Sequence, residues 1–142
     1  MHTSGSEKLE YPRLPGLYFR GYQGEQDLPR MLVCINGSKH ADNEERSDTL
    51  EELKYNYAHL KNCDPDKDVL LVEANGSVVA YSRTWWNKTS KGERIYMFFW
   101  YIMPEWRDAG VGEAILDYQE RRIHQIAAGH PKEEKAYIQL IS

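Results

Sequence analysis

Two glycines, Gly110 and Gly112, mark the stretch of sequence best suited to chemistry. They follow the apolar run 93–102 and Pro104, and an amphipathic segment begins directly after them. Glycine removes the side chain where the backbone has to approach a ligand closely, and the first turn of a helix presents unpaired N–H groups at its positive end. The pattern therefore predicts a nest for a phosphate or pyrophosphate, with Arg107 available to neutralise charge.

The sequence excludes two other phosphate-binding motifs and gives no sign of a metal site. No Gly-Lys-Ser/Thr follows them, so the segment is not a Walker loop, and a full dinucleotide fingerprint would need a third glycine or alanine in phase. The five histidines show neither metal-ligand spacing nor a triad, and we expect no metal. Cys34 and Cys63 lack the paired spacing of a zinc site, and two cysteines do not form a secreted disulfide framework.

The composition indicates one folded domain. The chain has 142 residues, of which 41% are hydrophobic and 28% charged, with a net charge of −4. That apolar fraction suffices for a core and excludes disorder at so small a net charge. The negative balance gives no global attraction to nucleic acid, and no apolar run approaches the roughly 20 residues of a membrane span. The N-terminus has no apolar signal segment, so the sequence predicts a cytoplasmic protein without nucleic-acid or membrane partners.

The elements that position the glycine turn alternate between strands and helices. Residues 1–16 are polar and interrupted by Pro12, Pro15 and Gly16, which predicts a flexible arm before a domain spanning 17–142. Asn75-Gly76 is a strong signal for a type I′ hairpin. The first predicted elements are a strand at 17–22 and a helix at 27–36, which is capped by Asp27 and ended by Gly37. A second helix follows, opened by the Thr49–Glu52 capping box. The remaining elements are strands at 69–74, 77–82 and 93–102, a helix ending near 128, and a strand at 136–141. This order predicts an α/β fold with a mixed central sheet flanked by helices.

The segment 104–116 resembles motif A of the GNAT N-acetyltransferases. That motif reads Arg/Gln-x-x-Gly-x-Gly/Ala after a hydrophobic strand, and here Arg107, Gly110 and Gly112 occupy its fixed positions. The turn Asn75-Gly76, with the valines and small residue that follow it, is similar to the family's hairpin between its second and third strands. The predicted order of elements also resembles that of the family, over about residues 17–142.

The resemblance implies transfer of an acetyl or related acyl group from acetyl-CoA to a small-molecule or peptide amine, by direct attack of the amine on the thioester. It implies that backbone groups near Ile102 and Met103 pair with the pantetheine arm. It also implies a pyrophosphate site formed by the amides of Arg107, Asp108, Ala109, Gly110, Val111 and Gly112. Asp108 and Ala109 stand where the family often has glycine and a basic residue, so Asp108 adds negative charge beside that site.

No catalytic residue follows from the sequence. The family's general base is often a carboxylate on the fourth strand, and residues 96–102 contain none. The nearest carboxylates are Glu93 and Glu73, and for each of them a solvated residue near the end of a strand is the more common case. Hydroxyl candidates that could instead be core tyrosines are Tyr81, Tyr96 and Tyr101.

The end of the sequence sets the last expectation. A complete domain of this family continues past its fifth strand with a helix and two further strands, so we expect this sheet to end at the fifth strand and to lack them. Three explanations stay open: a partner chain completes the sheet, the chain is a fragment that lacks its C-terminal half, or the fold is a reduced variant. An exposed edge on the final strand can pair with another chain, so a homodimer is expected for the first of these. Two alternatives to an enzyme stay open: a non-catalytic GNAT-like domain that binds CoA or packs in a larger assembly, and a small α/β interaction protein whose glycine turn is structural.

Overall fold

The fold is built on a six-stranded mixed sheet whose strands lie side by side in chain order. The computed structural model describes residues 9–44, 47–132 and 135–141. The strands are β1 (Arg13–Leu14), β2 (Leu17–Gly21), β3 (Val69–Ala74), β4 (Ser77–Lys88), β5 (Arg94–Ile102) and β6 (Ala136–Leu140). The helices are α1 (Leu28–Ala41), α2 (Leu50–Ala58), α3 (Pro65–Asp68) and α4 (Val111–Ala128), with 3-10 turns at Glu25–Asp27 and Pro104–Trp106. All neighbouring strands are antiparallel except β5 and β6, which are parallel.

Alternation along the strands divides the core into two layers. On one face, α1 and α2 cover Leu71, Tyr81 and the inward side of Phe99. On the other face, α4 packs Ile115 and Tyr118 against a second group of strand residues, which includes Leu70, Val72 and Ile102. Because successive side chains of a strand point to opposite faces, β5 contributes to both layers, and its two faces are covered by different helices.

Local signals placed the central hairpin and the start of α2 correctly. Asn75 has φ 52° and Gly76 has φ 82°, as the two central residues of a type I′ turn require. Thr49 caps α2, because its hydroxyl accepts from the Glu52 N–H and the Glu52 side chain accepts from the Thr49 N–H. The predicted capping box is confirmed.

The predicted limits of α1 are wrong at its C-terminal end, and the expected cap does not form. Asp27 makes no cap hydrogen bond, because its carboxylate binds Arg20 and the Gln23 N–H instead. Gly37 does not end the helix, which continues to Ala41. A Cβ on Gly37 would lie 2.7 Å from the Met103 Sδ, so glycine is used here because the helix passes close to the end of β5.

The N-terminal segment is more ordered than the predicted arm. Arg13–Leu14 pairs with β2, and Leu9 packs against the core. The Tyr11 ring stacks on Tyr118 with centroids 5.6 Å apart. The folded unit therefore begins before residue 17, and the rest of the predicted arm, residues 1–8, lies outside the described part of the chain.

The C-terminal strand corrects the expected strand count. With β1 present, Ala136–Leu140 is the sixth strand and not the fifth. The expectation that the sheet ends at a fifth strand is therefore not confirmed, and the structure gives no support for a missing C-terminal helix and strands.

Candidate active site

A cavity of about 550 Å³ lies where β5, β6, the end of α1 and the start of α4 meet. It is lined by Ser38, Lys39, Asp42, Glu44, Phe99, Trp100, Tyr101, Ile102, Arg107, Gly112, Leu140 and Ile141. Its walls are largely aromatic and aliphatic, with charged groups gathered on the α1 side. A concave apolar site with a few polar groups at one side is typical of a small-molecule pocket.

The cavity exists because the ladder between β5 and β6 stops before β5 ends. The last hydrogen bond that joins the two strands in the described ranges runs from the Ile141 N–H to the Phe98 O, at 2.8 Å. Among the described residues, no strand therefore lies beside 99–102 of β5 on this edge. The backbone groups on this edge face the cavity, and the alternate ones face β4.

The direction of those backbone groups follows from one bond. The Met103 N–H donates to the Val79 O at 2.8 Å, so Met103 is turned toward β4 and its amide is occupied. Strand alternation then turns the amides of Trp100 and Ile102 toward the cavity. Of the two residues predicted to pair with a pantetheine arm, Ile102 is placed to do so and Met103 is not. Sequence reasoning missed Trp100, although counting back by two from Ile102 would have found it.

The first turn of α4 supplies three further amides. Gly110 is in the left-handed conformation, with φ 81°, and the first helical bond runs from the Ala114 N–H to the Gly110 O. The N–H groups of Val111, Gly112 and Glu113 have no hydrogen-bond partner in the described part of the structure. Gly112 lies in the cavity wall, and a Cβ there would contact Trp100 at 3.6 Å, so the helix begins close against β5. The free amides therefore lie at the start of α4, whereas two amides of the predicted set are occupied: Arg107 N–H donates to the Pro104 O and Ala109 N–H to the Trp106 O, each at 3.3 Å. A phosphate site at this turn stays a prediction.

Arg107 is held in place by protein groups. Its Nε donates to the Ile102 O at 2.9 Å, and its terminal nitrogens bind the Asp42 carboxylate at 2.7 Å and the Ser38 hydroxyl at 3.1 Å. The side chain therefore ties the end of α1 to the turn before α4, and Asp42 already balances its charge. Asp108 and Ala109, the next two residues of the turn, are exposed.

The structure does not bring the leading catalytic candidates to the cavity. Glu73 is ion-paired with Arg20 and Arg30 on the opposite side of the hairpin. The Tyr96 hydroxyl is hydrogen-bonded to the His130 Nδ1 at 2.6 Å, and the Tyr137 hydroxyl donates to Glu93 at 3.4 Å. All three have structural partners outside the cavity.

The other two tyrosine candidates, Tyr81 and Tyr101, differ in their position relative to the cavity. Tyr81 is buried, and its hydroxyl is hydrogen-bonded to that of Tyr57. Tyr101 alone among the hydroxyl candidates lines the cavity. Burial raises the pKa of Tyr101 above its ordinary value, and the neighbouring Lys39 ammonium opposes that rise. Tyr101 therefore keeps its proton at neutral pH and can donate it.

Glu44 is a cavity carboxylate that sequence reasoning missed. It follows Asn43, which is in the left-handed conformation. The Glu44 N–H donates to the Lys39 O at 2.9 Å, a bond at the C-terminal end of α1. Lys39 is ion-paired with Asp48, and Asp42 with Arg107, whereas Glu44 has no ion pair in the described ranges. No sequence signal marked it, because it lies in a polar loop without periodicity.

The described residues provide neither a metal centre nor a membrane-spanning helix. They contain no group of three or more histidine, cysteine or acidic side chains placed to hold a metal ion. No helix in the same ranges is both long and apolar enough to cross a membrane.

Comparison with known proteins identifies the class. The sequence pattern of the Acetyltransferase (GNAT) family matches residues 33–130, more than half of the chain. The chain therefore belongs to the GNAT acetyltransferase family. The match includes the end of α1, all of β5 and the glycine turn, and thus most of the cavity wall. No curated protein sequence matches the chain.

Solved structures share the fold at low sequence identity. A GCN5-related N-acetyltransferase from Sphaerobacter thermophilus is 20% identical with a TM-score of 0.72, over 92% of this chain and 39% of that one. Glucosamine-6-phosphate N-acetyltransferase from Arabidopsis thaliana is 10% identical with a TM-score of 0.62, over 89% and 82%. YncA from Salmonella typhimurium, solved with its cofactor acetyl-CoA, is 18% identical with a TM-score of 0.58, over 78% and 65%. This chain thus spans well under half of the Sphaerobacter protein.

Proposed function

We propose that this chain is an acyl-CoA-binding domain that transfers an acetyl group from acetyl-CoA to the nitrogen of an amine. The observation that carries the proposal is the cavity at the divergence of β5 and β6, which has unpaired backbone amides at two places along its wall. Membership of the GNAT family supports it, as does the fold shared with a protein solved with acetyl-CoA.

The residues present fit the two ends of acetyl-CoA. The amides of Val111, Gly112 and Glu113 suit a pyrophosphate, because a helix N-terminus combines free donors with a positive dipole. The open edge of β5 at Trp100 and Ile102 suits the amide groups of a pantetheine arm, which would bind as an added strand. Arg107 fixes the geometry of the turn and is not a free counter-charge, because Asp42 occupies its guanidinium.

The chain has to move two protons during the transfer. Bound acetyl-CoA supplies the thioester carbonyl that the amine nitrogen attacks, and as the C–N bond forms the C–S bond breaks. An amine is mostly protonated at neutral pH, so a base has to remove a proton before or during attack. We assign that role to Glu44, directly or through a water. We assign to Tyr101 the donation of a proton to the departing sulfur, and the second proton that the nitrogen loses as the amide forms restores the Tyr101 hydroxyl.

The acceptor class follows from the neighbours and the cavity. The Arabidopsis relative is named for glucosamine-6-phosphate, a small amine, and this cavity has the volume of a small-molecule site. We therefore favour a small-molecule amine over a peptide amine. The cytoplasmic location and the homodimer stay predictions, the latter supported by large apolar side chains exposed on β6, namely Tyr137, Ile138 and Leu140.

The experiment that tests catalysis compares the wild type with Glu44→Gln on a panel of primary amines. Loss of a general base lowers the rate by about 10²-fold or more, so kcat/KM should fall by that factor while acetyl-CoA affinity is unchanged. The matched control is Glu51→Gln, an exposed glutamate on α2 outside the cavity wall, which should keep wild-type kinetics. Acetyl-CoA binding without turnover of any amine would instead favour the non-catalytic domain, and equal rates for the two variants would remove Glu44 from the mechanism.

A further inference from the structure

Arg83 holds a guanidinium inside an aromatic cluster on the sheet face that carries α1 and α2. It lies on β4 directly opposite Phe99 of β5. Its Cζ is 5.0 Å from the ring centroid of Trp85, 5.2 Å from that of Phe99 and 5.6 Å from that of Tyr57. Three rings therefore surround one cation, an arrangement that cation–π attraction favours.

No described residue provides an anionic partner for this cation. Arg83 forms no ion pair with any described residue, and its buried Nε has no hydrogen-bond partner there. Burial raises the pKa of Tyr81 and of Cys63, each to about 12, and raises the pKa of Tyr57 well above its usual value. The polar groups beside Arg83 are therefore neutral at pH 7. A largely buried charge without a counter-charge is costly, and a ligand that brings an anion would remove that cost.

The cluster is continuous with the cavity. Phe99 lines the cavity and contacts Arg83 on its other side. Tyr101, also in the cavity wall, has its ring centroid 5.5 Å from that of Phe99 and 6.2 Å from that of Tyr81. Arg83 thus lies one side chain away from the cavity, and its largely buried side chain keeps some exposure to solvent. Phe99 is therefore shared by the cavity wall and the cluster around Arg83.

We propose that Arg83 binds an anionic group on the acceptor, a carboxylate or a phosphate monoester, and so selects amines that carry a negative charge. The inference rests on the proposed acetyl transfer and names its acceptor class. A guanidinium presents a planar fork that matches two oxygens of either anion, and the free Nε is one of its donors. Phe99 and Trp85 provide apolar surface for the part of the acceptor between its amine and its anion.

Matched acceptor pairs test this selection. Phenylalanine is compared with phenethylamine, and glucosamine-6-phosphate with glucosamine, so that each pair differs in one anionic group and the two pairs distinguish carboxylate from phosphate. In each pair whose anionic member the wild type prefers, Arg83→Met should raise the KM of that member about tenfold or more. This is the loss expected when a hydrogen bond to a charged group is removed. The KM values of the uncharged member and of acetyl-CoA should stay within about twofold. Arg83→Lys, which keeps the charge but loses the fork, should fall between.

Arg121→Met serves as the control, because Arg121 is exposed on α4 and pairs only with Asp117 in the described part of the chain. It should leave both members of each pair unchanged. Equal losses for charged and uncharged acceptors in Arg83→Met would overturn the proposal, as would a wild type that shows no preference within either pair.

A binding measurement on the wild type keeps the proposal testable if the variants do not fold or no amine turns over. The probes are 3-phenylpropionate and 2-phenylethyl phosphate, which have the anion but no amine, with 3-phenylpropanol as the neutral control. Titration calorimetry should show binding of one of the anions and none of the alcohol. Binding of the anion without turnover of any amine would refute acetyl transfer while supporting the Arg83 site, and equal behaviour of anions and alcohol would refute the site.

Discussion

Arg20 is the centre of a buried ion-pair network that includes two carboxylates. Its guanidinium binds the Asp27 carboxylate at 2.7 Å and the Glu73 carboxylate at 2.5 Å, and donates to the Gly21 O at 2.9 Å. Arg20 and Asp27 are almost fully buried. The network joins β2, β3 and the turn before α1, so Glu73 has a structural role although its carboxylate resembles a candidate base in the sequence.

Removing Arg20 should strongly destabilise the fold. Arg20→Met leaves Asp27 as a buried charge without its main partner, a change that typically costs about 3–5 kcal/mol of unfolding free energy. Arg30→Met is the matched control, because Arg30 also pairs with Glu73 but is 39% exposed, and should cost less than about 1 kcal/mol. Urea denaturation followed by circular dichroism measures both values, and similar losses in the two variants would contradict the network's importance.

The same network predicts a pH dependence of stability. Burial opposes ionisation of Asp27 and Glu73, but the hydrogen bonds from Arg20 outweigh it and hold both pKa values below their ordinary 3.8 and 4.5. Carboxylates with lowered pKa stabilise the folded state above those ordinary values, and this contribution is lost as the pH falls through the folded-state values. The stability difference between wild type and Arg20→Met should therefore shrink as the pH falls below about 4.5. Burial raises the pKa of Asp68. Its contribution to the pH dependence of stability has the opposite sign, but it is the same in the wild type and in Arg20→Met and so cancels in their difference.

At the scale of elements, α1 passes close to Met103, the residue after the end of β5. Gly37 allows it, since a Cβ there would meet the Met103 Sδ at 2.7 Å and Cε at 2.8 Å. Alanine is favoured over glycine inside a helix by about 1 kcal/mol, so the glycine is retained against local preference.

A double-mutant cycle tests that contact. Gly37→Ala should be more favourable by about 1 kcal/mol in a Met103→Ala background than in the wild type, because the obstructing thioether is then absent. Unfolding free energies from urea titrations of the four proteins give the coupling. A coupling near zero would show that Met103 moves aside freely and that its side chain is not the reason for a glycine at position 37.

Elements whose signals are local could be predicted, and those set by distant contacts could not. Asn75-Gly76 and Thr49–Glu52 determine their own geometry within four residues, and both form as expected. The end of α1 could not be predicted, because the reason for Gly37 is Met103, far along the chain. The same holds for Asp27, which looks like a cap locally but is bound by Arg20.

At the scale of the whole molecule, the site is assembled from four separate parts of the chain. The end of α1, the second half of β5, the start of α4 and the end of β6 meet at one cavity, and Arg107 ties the first of these to the third. The glycine turn was predictable because its signal is contiguous. Glu44, Trp100 and Arg83 were not identified, because the role proposed for each depends on neighbours that the fold brings together.

The central claim is that the start of α4 and the open edge of β5 bind acetyl-CoA, and calorimetric titration with acetyl-CoA tests it most directly. The probe variant is Gly112→Leu, which places a side chain at the cavity wall without requiring a left-handed backbone. Gly129→Leu makes the same substitution at the far end of α4, where φ is −89° and the nearest contact of a Cβ is 3.6 Å. The wild type and Gly129→Leu should bind with similar affinity, and Gly112→Leu should bind at least about tenfold more weakly while remaining folded. Absence of binding by the folded wild type, or equal binding by Gly112→Leu, would contradict the account.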